Sequence, residues 1–289
     1  MLRLMNDNKA KLIFVADFFL SDIIGGGEIH NEELITILSD TFEYDVEKVH
    51  SHMVDVAFLK RNKDNKFIIG NFLRLSTASR KQLMEMDYVI YEHDHKYLKN
   101  RNPAGYKNFK APADDIVNYE FYNSAKAIFC QSGFHKKIVE GNLNLSNIKN
   151  ASGNLWSPKI LSHISSLGRK DKKDIVSIMS SPIHHKNTTD AVRYCQAKGY
   201  EYELIPPLGY KDFLDRVSNN KHFVFFPKTP ETLSRIVVEA RMMSMSVTTN
   251  NLVGATKEPW YNFKGQQLVE YVHTMRTSIP EKVIEALDQ

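Results

Sequence analysis

The chain of 289 residues has only two cysteines, Cys130 and Cys195, both inside apolar runs. So few thiols exclude a disulfide framework, and two buried free thiols of a reducing compartment are expected. No apolar run approaches the ~20 residues that a membrane-spanning helix needs. The opening MLRLMNDNKAKLIFVADFFL is too polar and too abruptly strand-like for a secretory signal, so a soluble cytoplasmic protein is expected. Strong charge of one sign is also missing. The net charge of +4 and pI of about 8.8 permit an anionic partner without demanding one. Internal repeats and low-complexity tracts are absent. So is a GxGxxG fingerprint after the first apolar strand, where GGGEIH stands, and this disfavours an epimerase of the ordinary dinucleotide-binding type.

What the chain does have is core-forming material. Hydrophobic residues make up 42%, with 16 Phe and 13 Tyr, and the length suits two domains of roughly 100–150 residues each. Residues 11–16 (KLIFVA) read as a buried parallel strand ending at Asp17. A glycine-opened amphipathic helix follows over 28–40. Further strands are expected at 46–50, 54–58, 66–70, 87–91 and 126–130, with helices at 76–86, 114–125 and 134–141. A polar connector, about 157–173, leads to a second series: strands 174–179, 200–205, 222–226 and 246–249 alternate with helices 187–198, 210–219 and 232–244. A last helix over 279–288 would begin with Pro280 at its first position. Such alternation indicates two doubly wound α/β layers, with ligands at the carboxyl ends of their strands, between the domains. The domains expected are 1–156 and 157–275, with a C-terminal helix in 276–289 that crosses back to the first.

The richest stretch is FFPKTPETLSRIVVEARMMSMSVTTNNLVGATKEPW, residues 225–260. An apolar strand runs into a loop, then Glu231, seven residues and Glu239 on a helix. Free N–H groups around Leu233 and Ser234, at that helix entrance, suit a phosphate. A carboxylate at Glu239 can accept both hydrogens of a ribose diol. Taken alone, Glu231 could be a dipole-favoured first-turn acid and Glu239 a solvated helix residue. The apolar company of Glu239 in IVVEA argues for a partnered carboxylate instead. Polyol and anion sites side by side are what a nucleotide-sugar requires.

This segment resembles the donor-site signature of the family-4 retaining glycosyltransferases, which have the GT-B fold. Gly25, Gly26 and Gly27 match the family's glycine-rich loop after the first strand, where a ligand approaches the backbone. In DYVIYEHDHKYL, His93 and Asp94 match its His-Asp pair. By the resemblance His93 contacts the transferred sugar and Asp94 borders the acceptor. His93, Asp94 and His95 could instead ligate zinc or manganese. However, neighbours on a strand point to opposite faces, and the family is generally metal-independent, so no metal or cofactor is expected. Lys186, in SSPIHHKNTTDAV, is similar to the lysine that neutralises the donor diphosphate. FYNSAKAIFCQSGFHKKI and NASGNLWSPKI, with Asn154, match two further family segments.

The chain also departs from the pattern. Ser180-Ser181 stands where relatives carry Gly-Arg, and Thr232-Leu233-Ser234 replaces a glycine-rich tetrapeptide. His184 or His185 would stand in for part of the missing cation. The resemblance implies a retaining hexosyl- or pentosyltransferase that uses a UDP-, GDP- or ADP-linked sugar. Its sites would be Glu231, His93 and Asp94 for chemistry, and Glu239, Lys186, Ser234, Leu233, Gly26 and Gly27 for the donor. The acceptor is open between glycan, lipid, small molecule and hydroxymethylated phage DNA. The stretch 95–112, with Lys96, Lys99, Arg101, Lys107 and Lys110 among three aromatics, could meet nucleic-acid phosphates or an anionic membrane. A bacterial or phage-infected cell would then be the setting. The rival reading is a catalytically silent nucleotide- or glycan-binding module. Met242, Met243 and Met245 read as core filling.

Overall fold

The computed structural model describes residues 10–289. The opening segment discussed above lies outside them up to residue 9. Six parallel strands form the first sheet: β1 (Lys11–Ala16), β2 (Asp45–His50), β3 (Lys66–Ile69), β4 (Tyr88–Glu92), β5 (Ala127–Cys130) and β6 (Ile148–Asn150), in the order β2-β1-β3-β4-β5-β6. Four more, β7 (Lys173–Met179), β8 (Tyr202–Ile205), β9 (Asn220–Phe225) and β10 (Ser246–Thr249), form a second parallel sheet in the order β10-β9-β7-β8. The expected pair of doubly wound α/β layers is therefore present.

The alternation of side chains explains why central strands such as β1 and β5 are almost wholly apolar. Leu12, Phe14 and Ala16 of β1 enter one core layer while Ile13 and Val15 enter the other. A strand covered on both faces has no solvent side, so every position must be apolar. Around the first sheet lie α1 (Gly26–Asp40), α2 (Val56–Arg61), α3 (Thr77–Leu83), α4 (Tyr119–Asn123) and α5 (Gly133–Leu143). The remaining helices are α6 (Pro158–Gly168), α7 (Thr188–Lys198), α8 (Tyr210–Val217), α9 (Arg235–Met242) and α10 (Gln266–Asp288). Both cysteines are buried and free. Among the described residues no helix is long and apolar enough to cross a membrane.

Several elements differ from the sequence expectation, each for a local reason. Residues 54–58 do not form a strand. Asp55 caps a helix there, its carboxylate accepting from the Phe58 N–H at 2.6 Å. The helix expected over 114–125 shrinks to the five residues of α4, because Asn118 adopts φ 60° and breaks it. The supposed connector contains α6, capped by Ser157 with Pro158 in its first turn, and it buries Leu161, Ile164 and Leu167. β6 was not anticipated at all.

The last helix starts at Gln266, and Pro280 lies inside it. A proline there forfeits one backbone hydrogen bond. Burial of Val272, Met275, Ile279, Val283 and Leu287 on either side outweighs that loss. α10 packs on α6 and α9 and then on α1, β4 and β5, so one helix touches the layers of both sheets. Ile164 is fully buried in the core that α6 shares with α9 and α10. Ile164→Ala should cost about 2–5 kcal/mol, read as a lower urea midpoint at unchanged slope. An unchanged midpoint would mean that α6 is not part of the core.

Candidate functional site

A cleft of about 610 Å³ opens at the carboxyl ends of both sheets. The loops after β1 and β4 bring Gly25–Gly27 and His93, and those after β7 and β9 bring Ser180, Ser181, Lys186 and Glu231. Glu239, Ser234, Thr232 and Asn154 complete the sequence-selected residues in it. Leu233 does not line the cleft: its side chain is fully buried in the core that also takes Val237 and Val238 of α9. Asp94 faces a second cavity beyond His93.

Glu239 sits on the first turns of α9 and is 2% exposed. One of its oxygens, Oε1, accepts from Trp156 Nε1 at 2.8 Å and from the Tyr210 hydroxyl at 2.6 Å, with Arg235 Nε at 3.5 Å. Burial, followed by the Glu239 charge, raises the Tyr210 hydroxyl above its ordinary range, so it stays a donor. Among the described residues no donor reaches Oε2, and that atom is not sealed from the cleft. The carboxylate is thus half satisfied by the protein and half presented to a ligand.

Arg235 lies four residues before Glu239, on the same helix face. Its guanidinium stacks 4.2 Å from the centre of the Trp156 ring and donates to the Leu155 carbonyl at 2.7 Å. The two glycines of α1 are explained by what they approach. A Cβ on Gly26 would stand 3.2 Å from Arg235 Cδ, and one on Gly27 would stand 3.3 Å from His93 Cγ. Both distances are tighter than ordinary contact, so the glycines let α1 close onto site side chains. α1 also points its amino end into this cleft, as does α9, giving two positive dipole ends.

The helix entered at 232 in the sequence expectation begins only at Arg235. Ser234 has φ 74°, and Glu231 pairs with Val253 as a short parallel bridge. Glu231 Oε1 is held by Lys186 Nζ at 2.7 Å. Lys186 itself sits in a single 3-10 turn, His184–Lys186, just ahead of α7.

His93 is gripped at both ring nitrogens. Gln131 Nε2 donates to Nδ1 at 2.6 Å, and Nε2 donates to Asn31 Oδ1 at 2.7 Å. Burial, followed by the charge of Lys96, pushes its pKa down to about 3, so the ring is neutral. Gln131 Oε1 in turn accepts from the Thr232 hydroxyl at 3.0 Å, tying the His93 network to the loop that carries Glu231. Behind it, β4 ends in a buried ion network. Lys96 donates to Glu92 at 2.5 Å and to Asp94 at 2.8 Å, and Arg101 reaches Asp94 at 3.3 Å.

Burial raises Glu92 to about 7 despite Lys96. Burial also works against the Asp94 charge, but Lys96 and the surrounding hydrogen bonds prevail and hold Asp94 below the usual carboxylate range. The alternation expected for 93–95 does not apply, because the strand ends at Glu92 and the chain bends there. No group of three or more potential ligands able to hold a metal occurs among the described residues.

Arg235, Trp156, Tyr210, Gln131 and Asn31 were not selected from sequence. The i, i+4 spacing of Arg235 and Glu239 was the one local signal available. The other contacts join distant segments.

No protein-family model matches the chain, and no curated protein matches it. Solved structures do. HepE from Anabaena, in complex with UDP and glucose, aligns at 13% identity and TM-score 0.55, over 96% of this chain and 92% of that one. Sucrose-phosphate synthase from Thermosynechococcus elongatus aligns at 8% and 0.55, over 96% of this chain and 95% of that one. A UDP-forming α,α-trehalose-phosphate synthase from Burkholderia vietnamiensis aligns at 7% and 0.55, over 96% of each. At such identities the likeness shows the fold, and the fold is GT-B.

A pH consequence follows from the neutral histidines. Burial is the main cause that lowers His30, His93, His95 and His135 below their ordinary 6.5, with His95 at about 4. The unfolded chain therefore takes up protons first as pH falls. Stability should be full above about pH 6.5 and fall below it, by up to about 1.4 kcal/mol per pH unit for each group. Thermal melts should show this drop, and the His93 ring should stay untitrated in NMR spectra down to about pH 5. A ring titrating near its ordinary value, with a flat melting profile, would contradict the neutral network.

Proposed function

We propose that this protein is a glycosyltransferase that moves a sugar from a nucleotide-sugar, with retention of anomeric configuration, to a hydroxyl acceptor. The observation that carries the reading is the half-satisfied Glu239 carboxylate beside two helix amino ends and Lys186 in one cleft. The free Oε2 suits a ribose diol. The helix ends and Lys186 suit a diphosphate, and Glu231 with neutral His93 suits sugar hydroxyls between them. In this reading residues 157–275 hold the donor and 1–156 face the acceptor. HepE, of the same fold, was solved with UDP and glucose, so UDP-glucose is the first donor to try.

No protein nucleophile is needed. The bond from the anomeric carbon to the diphosphate oxygen breaks and a bond to the acceptor oxygen forms. The departing diphosphate takes the acceptor proton. Lys186 leaves Glu231 to meet the growing charge on the diphosphate, which frees Glu231 for the sugar. The protein supplies orientation and charge stabilisation, without metal or organic cofactor.

The burial of Glu239 shapes the test. Glu239→Ala would orphan Trp156 Nε1, the Tyr210 hydroxyl and the Arg235 charge, and so damage the fold as well as the site. Glu239→Gln keeps the shape. It should weaken donor binding roughly 10- to 150-fold, the effect of one charge-assisted hydrogen bond. Glu231→Gln should abolish turnover of UDP-glucose with the melting temperature retained. Normal turnover in both variants would sink the proposal. Donor binding to the wild type with no turnover on any acceptor would favour a silent binding module.

A further inference from the structure

A second cavity, of about 500 Å³, lies on the other side of His93 and Glu231 from the donor cleft. The two cavities share only His93, Glu231 and Thr232, the residues at which the transferred sugar would sit. The second is walled by the turn at 93–103 from the first sheet, and by His185 and 229–232 from the second. Resting on the donor reading above, we propose that this cavity is the acceptor subsite and that it takes an uncharged polyol, a terminal sugar residue.

The first argument is charge. Every full charge that borders the cavity is already matched within the protein. Asp94 is held by Lys96 and Arg101, and Glu231 by Lys186. Burial and the Lys186 charge lower His185 below its ordinary value, so it too is neutral. A phosphate or carboxylate entering here would find no uncompensated cation and would have to break an existing pair. Two of the basic residues that suggested nucleic acid are consumed in the same way. Lys96 is 1% exposed inside the ion network, and Arg101 is bound to Asp94.

The second argument is the supply of hydrogen-bonding groups. His95 lines the cavity but is 3% exposed, its Nδ1 contacts the Tyr97 hydroxyl at 3.0 Å, and its Nε2 is sealed from the cavity, so the groups on offer come from other residues. Asn102 uses its Oδ1 on the Ala104 N–H, which leaves its amide N–H groups available. His185 makes no side-chain hydrogen bond among the described residues, apart from its backbone carbonyl, which accepts from Lys228. The Asn102 amide donates, and the neutral His185 ring offers one donor and one acceptor nitrogen, which together match hydroxyls. Pro103 and Pro230 add apolar rings for the C–H faces of a sugar.

The test is saturation-transfer NMR on the full chain with UDP present. The probes are the methyl glycosides of glucose, galactose and N-acetylglucosamine, alongside a hydroxymethylated DNA duplex. At least one glycoside should bind, and Asn102→Ala should weaken it by tenfold or more while UDP affinity is unchanged. Asn102 belongs to the surface-facing turn, and melting curves check that the variant folds. Failure of every glycoside to bind, preference for the duplex, or binding indifferent to the substitution would overturn the proposal. Failure of UDP to bind would instead count against the donor reading, because the glycoside signal is read separately.

Discussion

The site depends on one buried carboxylate. Glu239 lies in an apolar stretch of α9, where an ionised group is costly unless it is met by donors. Trp156 from the junction before α6, Tyr210 from α8 and Arg235 from its own helix all converge on it. Those contacts fix where the end of the first sheet's chain meets the second sheet. The Arg235 side chain then sets how closely α1 can approach, and a Cβ at position 26 would crowd it at 3.2 Å. The carboxylate is thus at once an anchor between segments and, through its unused oxygen, a group offered to the cleft.

Around this anchor the other charges are paired before any ligand arrives. Lys186 rests on Glu231, and Asp94 is shared by Lys96 and Arg101. The imidazoles at the centre are held neutral. Two helix amino ends stand beside Lys186 in the cleft, whereas nothing comparable faces the second cavity. The same electrostatic rule separates a cleft that welcomes negative charge from a second cavity that does not.

Much of the fold was legible because strands buried on both faces are continuously apolar and their turns carry glycine or polar residues. The loops that build the cleft follow those strands, so Gly26, Gly27, His93, Lys186, Glu231 and Glu239 could be gathered without coordinates. Other features were not legible. Residues 54–58 are too short an apolar run to separate strand from helix, and the capping Asp55 decides. The serines of α6 masked a helix whose cap and first-turn proline were in plain view. Pro280 resembled a helix start, but the buried positions before it continue without a break. Arg235, Tyr210, Trp156 and Gln131 act through partners far away in sequence, which no local pattern reveals.

The central claim is that Glu239 presents a carboxylate oxygen to the ribose of a nucleoside diphosphate. Calorimetric titration of the wild type with UDP and with its 2′-deoxy and 3′-deoxy analogues tests it directly. Loss of a hydroxyl bound to a buried carboxylate should weaken binding roughly tenfold or more. That loss should vanish in Glu239→Gln. Equal affinity of the wild type for UDP and both deoxy analogues would contradict the account.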